Sequence, residues 1–176
     1  MKPTTLCLII NDKQEILLGR KKRGFGAGKY NGFGGKKQED ETFRQCAVRE
    51  IFEEVSLIVN PEDLIPVAIM NFQFPYEETL NHLNYTYIVK QYEGLPLESE
   101  EMEPQWFSFS DIPYELMWKG DDTWIPEVLA GKLLHTLLIF GKDNDEVKLA
   151  ENTYVDTIEE FETIEAITAC LRKERN

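Results

Sequence analysis

Apolar and polar positions recur along this chain with two periods, and the places where one period gives way to the other divide it into elements. Residues 4–10 and 15–20 are apolar runs rich in β-branched side chains, separated by Asn11-Asp12-Lys13-Gln14. Turn chemistry between two such runs predicts an opening hairpin. Six of the eleven glycines then crowd into residues 24–35, so little regular structure is expected there. Residues 41–55 contain neither Pro nor Gly, and Ala47 or Val48, Ile51 and Val55 recur at three-to-four spacing. This predicts an amphipathic helix starting near Thr42.

Strands are predicted over 67–74 and 82–91, split by the Pro75 turn, and over 105–109. Ser110-Asp111-Ile112-Pro113 has the pattern of a helix N-terminus, and 123–130 is a second short helix candidate. Residues 133–140 and 146–155 supply a last strand pair. In 157–172, Ile158, Phe161, Ile164, Ile167 and Leu171 fall on one stripe, which predicts a closing helix packed on the sheet. Strands precede, flank and follow a central helix without regular βαβ alternation, so the expected class is α+β, a mixed sheet covered by helices on its faces.

Composition narrows this picture. With 176 residues, 42% hydrophobic and 11% aromatic, there is material for one packed domain over 1–176, with 157–173 as a helical extension. A formal net charge of −13 argues against a nucleic-acid partner held by counterion release and against an anionic membrane surface, and a polyanionic ligand would need a metal ion. Cys7, Cys46 and Cys170 are odd in number and widely spaced, as expected of reduced thiols in a cytoplasmic protein. With His82 and His135 the sole histidines, a His-rich zinc site is excluded. No stretch approaches the roughly 20 apolar residues needed to span a bilayer, and the apolar start reads as a strand rather than a leader.

The candidate chemistry lies in Gly35 to Val55. On a helix, Glu50, Glu53 and Glu54 fall within about one turn. Three carboxylates so placed repel one another unless a cation satisfies them. An oxygen-only donor set selects a hard divalent ion, Mg²⁺, Mn²⁺ or Ca²⁺. Arg49 lies four residues before Glu53 and can clamp a carboxylate, with Glu41 orienting the guanidinium. Taken alone, an E-rich helix is most often a solvated face; Gly34-Gly35 just upstream changes that, because glycine lets backbone approach a phosphate or metal closely.

The segment resembles the Nudix box, G-x5-E-x7-R-E-U-x-E-E-x-G-U with U a bulky apolar residue. Gly35, Glu41, Arg49, Glu50, Ile51, Glu53, Glu54 and Leu57 match at the required spacing, and Ser56 stands in place of the last Gly. Beyond the box, residues 21–36, 98–107 and 117–122 are similar to the MutT-homologue subfamily that hydrolyses oxidised purine nucleoside triphosphates. The resemblance runs in order from about residue 4 to 141.

That resemblance implies a Nudix fold, a mixed β-sheet sandwiched between helices, and a diphosphatase that yields a nucleoside monophosphate and pyrophosphate. It implies Mg²⁺, with Mn²⁺ an alternative, held by Glu50, Glu53, Glu54, Glu101 and the Gly34 or Gly35 carbonyl, and Glu54 as the first choice of base. Trp118 would stack on the purine, Phe25 and Phe72 would wall the pocket, and Asn31, Asp121 and Asp122 would read the base, the two Asp sharing a proton. Thr5 and Lys21 also align with pocket positions. Ser56 would cost about 1 kcal/mol as a helix end without touching metal. The expected partner is a small-molecule nucleotide bound by a monomer, with neither nucleic acid nor membrane. Other readings stay open: a different diphosphate substrate such as ADP-ribose or a methylated purine nucleotide, a nucleotide-binding module that does not hydrolyse, or a protein-interaction domain.

Overall fold

The structure, a computed structural model, describes residues 1–24, 26–144 and 146–173. It opens on the expected hairpin, β1 (Lys2–Ile10) and β2 (Glu15–Lys21), with Gln14 left-handed at the turn. A two-residue strand β3 (Tyr30–Asn31) rises out of the glycine run and pairs with β2. Helix α1 (Phe43–Val55) follows, then β4 (Leu64–Gln73), β5 (His82–Val89), β6 (Met102–Ser108), α2 (Asp121–Leu129), β7 (Leu133–Phe140), β8 (Val147–Val155) and α3 (Ile164–Lys173).

The sheet runs β3-β2-β1-β5-β4-β7-β8, with β6 also on β2. It is mixed: β1 with β5 and β4 with β7 are parallel, the remaining pairs antiparallel. One face packs Cys7, Ile9, Tyr85 and Tyr87 against α1 and α3, and the other packs Leu8, Ile10 and Met70 against Trp124, Ile125 and Val128 of α2. Period-two alternation along β1 and β5 serves both faces at once.

What positions the site is a split in this sheet. β1 and β2 pair through Ile9↔Leu17 and Ile10↔Ile16, beside the turn, and then part. Beyond that point β2 turns to β3 and β6, while the segment after β3 bridges to β1 at Cys7↔Phe33 and Thr4↔Lys36. That crossing brings Gly34 so close to the Thr5 carbonyl that a Cβ has no room.

Helix α1 begins as its sequence predicts. Thr42 caps it, accepting from Gln45 N at 3.1 Å, and the Gln45 side chain accepts from Thr42 N at 2.8 Å. At the other end Ser56 is left-handed, φ 61°, the conformation a Gly would adopt without strain.

Two predicted elements differ. Residues 110–113 do not start a helix; short 3-10 turns, Phe109–Asp111 and Tyr114–Leu116, flank Pro113, because a residue before Pro is biased away from the α region. In the tail, 157–163 is not helical and α3 begins at Ile164. Side-chain anchors tie this irregular stretch down: Tyr85 Oη donates to the Glu159 carbonyl, Arg44 makes a forked pair with Glu160, and Glu162 accepts from Phe43 N. The apolar stripe still packs inward, with Ile158, Phe161, Ile164 and Leu171 on the α1-side core.

Candidate functional site

One guanidinium organises the carboxylates of Glu41, Glu50 and Glu53. Arg49 Nε and Nη2 grip Glu41 at 2.9 and 2.7 Å, while Nη1 reaches Glu50 at 2.7 Å and Glu53 at 3.1 Å. This fork holds Glu41 down at about 2. The carboxyl of Glu50 fills the space that a Cβ on residue 35 would need, so Gly35 is required by close packing rather than by a turn.

Glu54 is set apart from its neighbours. Its side chain points to the glycine segment and accepts from Gly34 N at 3.0 Å with 6% of the residue exposed. Burial, then repulsion from Glu50 and Glu101, pushes it up to about 8, against the Gly34 hydrogen bond and Lys21, which favour the anion. Burial raises Glu50 as well.

The expectation that Glu50, Glu53 and Glu54 converge needs correction. Among the described residues no three His, Cys, Asp or Glu side chains are grouped to hold a metal ion as they stand. Glu50 and Glu53 gather on Arg49, the cation at hand, and Glu54 faces the cleft. Glu101 pairs with Arg23 at 3.1 Å, half exposed. The Gly35 carbonyl accepts from Thr5 N at 2.9 Å. The donor chemistry nonetheless suits a hard divalent cation: every donor is oxygen, and the repulsion that raises Glu54 is the kind such an ion relieves.

From Glu54 a cleft of about 310 Å³ runs between the parted strands. Thr5, Lys21, Asn31, Phe72, Trp118 and Asp121 all line it, so six of the eight sequence-predicted pocket residues meet in one cavity with Glu54. Phe25 lies outside the described residues. Asp122 is exposed and does not line the cleft, because the two Asp open helix α2 and successive helical residues point about 100° apart. The structure therefore does not bring the two carboxyls into the cleft together. Asp121 alone is buried in the cleft, accepts from Trp124 Nε1 at 3.0 Å, and is raised by burial to about 7.

The glycine loop covers Trp118: a Cβ on Gly26 would sit 2.7 Å from the indole, and Lys29 Nζ lies 5.1 Å from the ring centroid. Phe72 stacks on His82 with ring centroids 4.5 Å apart. Thr5 Oγ1 meets Cys46 Sγ at 3.4 Å, tying β1 to α1.

Sequence reasoning missed Lys2, Thr4, His82 and Asn84, which line the same cleft. A signal existed: polar His82, Asn84 and Thr86 alternate with apolar Leu83, Tyr85 and Tyr87 on a strand otherwise deep in the sheet.

Comparison with known proteins places the chain in a family. The chain is 45% identical over 131 residues to an oxidized purine nucleoside triphosphate hydrolase of Danio rerio, covering 74% of this chain and 81% of that one. It is 44% identical over 128 residues to the protein of the same name from Mus musculus, covering 73% and 80%. The fold of a MutT protein from Bacillus halodurans superposes with a TM-score of 0.73 at 23% identity, covering 86% of this chain and 97% of that one. Residues 1–128, which hold the split strands, the glycine segment, α1 and most of the cleft, match the NUDIX domain, and the chain belongs to that family.

Proposed function

We propose that this protein hydrolyses oxidised purine nucleoside triphosphates, of the 8-oxo-dGTP or 2-hydroxy-dATP kind, to the monophosphate and pyrophosphate, and so clears damaged nucleotides from the precursor pool. One observation carries the reading: a single cleft joins the carboxylate of Glu54 to Asn31, Trp118 and Asp121. The two relatives named for this substrate class add support.

In this reading Glu50, Glu53 and Glu54, with Glu101 and the Gly35 carbonyl, would hold Mg²⁺, or Mn²⁺ in its place, which when bound would supply charge neutralisation for the phosphates and a more acidic water. Arg49 holds the rotamers of Glu50 and Glu53 through its fork. Lys21, at the cleft wall, offers a cation to the phosphates. Glu54 takes the proton of the attacking water as its oxygen bonds to phosphorus and the pyrophosphate oxygen leaves. Trp118 and Phe72 bracket the base, and Asn31 and Asp121 read its edge. Asp122 belongs to the surface and is not part of this site.

We read the chain as one domain over 1–176, with 157–173 its extension, acting as a monomer on free nucleotides in the cytoplasm. The charge of −13 and three free thiols support this reading. No helix among the described residues is long and apolar enough to cross a membrane.

The test is pyrophosphate release with Mg²⁺ from 8-oxo-dGTP, 2-hydroxy-dATP, dGTP and ADP-ribose in parallel, with Glu54→Gln as the blank. Turnover that prefers an oxidised purine and depends on Glu54 is expected. Cleavage of ADP-ribose alone, or of nothing, overturns the reading.

A further inference from the structure

Along the floor of the cleft, side chains of three strands stand in register, those of β1 and β5 polar. Lys2, His82 and Phe72 lie side by side on β1, β5 and β4, and Thr4, Asn84 and Met70 form the next row. Asn84 is the unusual member. It is 6% exposed on a face otherwise packed with Leu8, Met70 and Trp124, yet it lines the cleft.

Its neighbours determine which way its amide points. Thr4 Oγ1 contacts the Leu83 carbonyl at 3.2 Å, and a carbonyl only accepts, so the Thr4 hydroxyl spends its hydrogen there. The Thr4 oxygen can then only accept from Asn84, which sets Nδ2 toward Thr4 at 3.1 Å. Oδ1 in turn faces Thr86, whose hydroxyl donates at 2.9 Å. An amide nitrogen carries two hydrogens, and among the described residues Thr4 Oγ1 is the one acceptor that Asn84 Nδ2 meets. Thr86 and Thr4 thus hold a buried donor in one orientation with a hydrogen left over.

We infer that Asn84 is a specificity-determining residue of the cleft, giving its second N–H to an acceptor on the edge of the bound purine. This rests on the purine triphosphate reading above and extends it. A buried donor left unmatched costs a bound ligand more than a matched one gains, so the site rejects bases that present a hydrogen or a carbon at that position. Thr4 and Thr86 are positioning residues. His82 stands one row along the same face; Nδ1 donates to the Leu80 carbonyl at 2.7 Å, and the ring buttresses Phe72.

The experiment measures kcat and KM of wild type, Asn84→Val and Thr86→Val on 8-oxo-dGTP, 2-hydroxy-dATP and dGTP. It also measures calorimetric affinity for 8-oxo-dGMP and 2-hydroxy-dAMP. Asn84→Val is expected to raise KM for the best purine, and to weaken its monophosphate, by about tenfold. Its kcat should stay within about twofold, and the preference between purines should shrink, since uniform binding appears in KM. Thr86→Val keeps shape and releases the amide, giving a smaller change in the same direction, and serves if Asn84→Val does not fold. A folded Asn84→Val with unchanged KM and preference overturns the inference. So does an equal fall in kcat on every purine, which marks a structural role. If wild type hydrolyses none of the three, the proposed function falls, and the monophosphate titrations decide Asn84 separately; absence of binding there overturns both.

Discussion

Helix α1 and strand β5 both carry polar side chains into the same cleft, and they are held in opposite ways. Around α1 the carboxylates of Glu41, just before the helix, and of Glu50 and Glu53 on it share one local cation, Arg49, eight or fewer residues away in the chain. On β5 the partners of Asn84 include Thr4, 80 residues distant, reached only because β1 and β5 are parallel neighbours. The first arrangement is charged and built on ion pairs. The second is neutral and tightly hydrogen-bonded, so it discriminates by donor and acceptor. In the proposed function, chemistry would then fall to the helix and recognition to the sheet floor, with Glu54 and Asn84 lining one cleft.

Substitutions can break or sharpen that contrast. Glu54→Gln is expected to lower turnover by at least about hundredfold while leaving monophosphate affinity close to wild type, as calorimetry would show; equal loss of both would mean the helix also recognises the base. Gly35→Ala drives a Cβ into the Glu50 carboxyl. Displacing that carboxylate, a ligand in the proposed function, should cost turnover roughly tenfold or more, read as a lower kcat with unchanged preference between purines.

Asp121→Asn probes the recognition side through pH. The unfolded chain ionises Asp121 near its ordinary 3.8, the folded protein only near 7. Between those values the folded state binds the extra proton, so its stability falls as pH rises through that window and levels off above it. Asn cannot ionise, so thermal melts from pH 4 to 8 should show the variant gaining a few degrees over wild type toward the alkaline end. Parallel curves would place Asp121 in contact with water. The smallest effect is expected of Ser56→Gly: the left-handed residue after α1, φ 61°, should gain at most about 1 kcal/mol in chemical denaturation without changing either turnover or preference.

How much of this was legible follows the same division. The opening hairpin, the Thr42 cap, the α1 boundaries and the Arg49 fork rest on contacts within a few residues, and local patterning conveys them directly. The tail was half legible. Its apolar stripe packs as its spacing implies, but the anchors from Arg44, Tyr85 and Phe43 that keep 157–163 out of a helix come from distant segments. The Asp pair misled for a simpler reason: adjacency along the chain is not adjacency in space once a helix begins at Asp121.

By itself, then, the sequence determined the acidic helix with its glycine approach, because those residues lie within some 20 positions and interact through one element. It also determined the two-faced alternation of β5. Only the tertiary structure decided that one face of β5 is cleft floor rather than core, that Asp121 enters the cleft while Asp122 does not, and that Thr4 orients Asn84. Each depends on which strands become neighbours and where β1 and β2 part, and pairing of distant segments is set by global packing, which no local window contains.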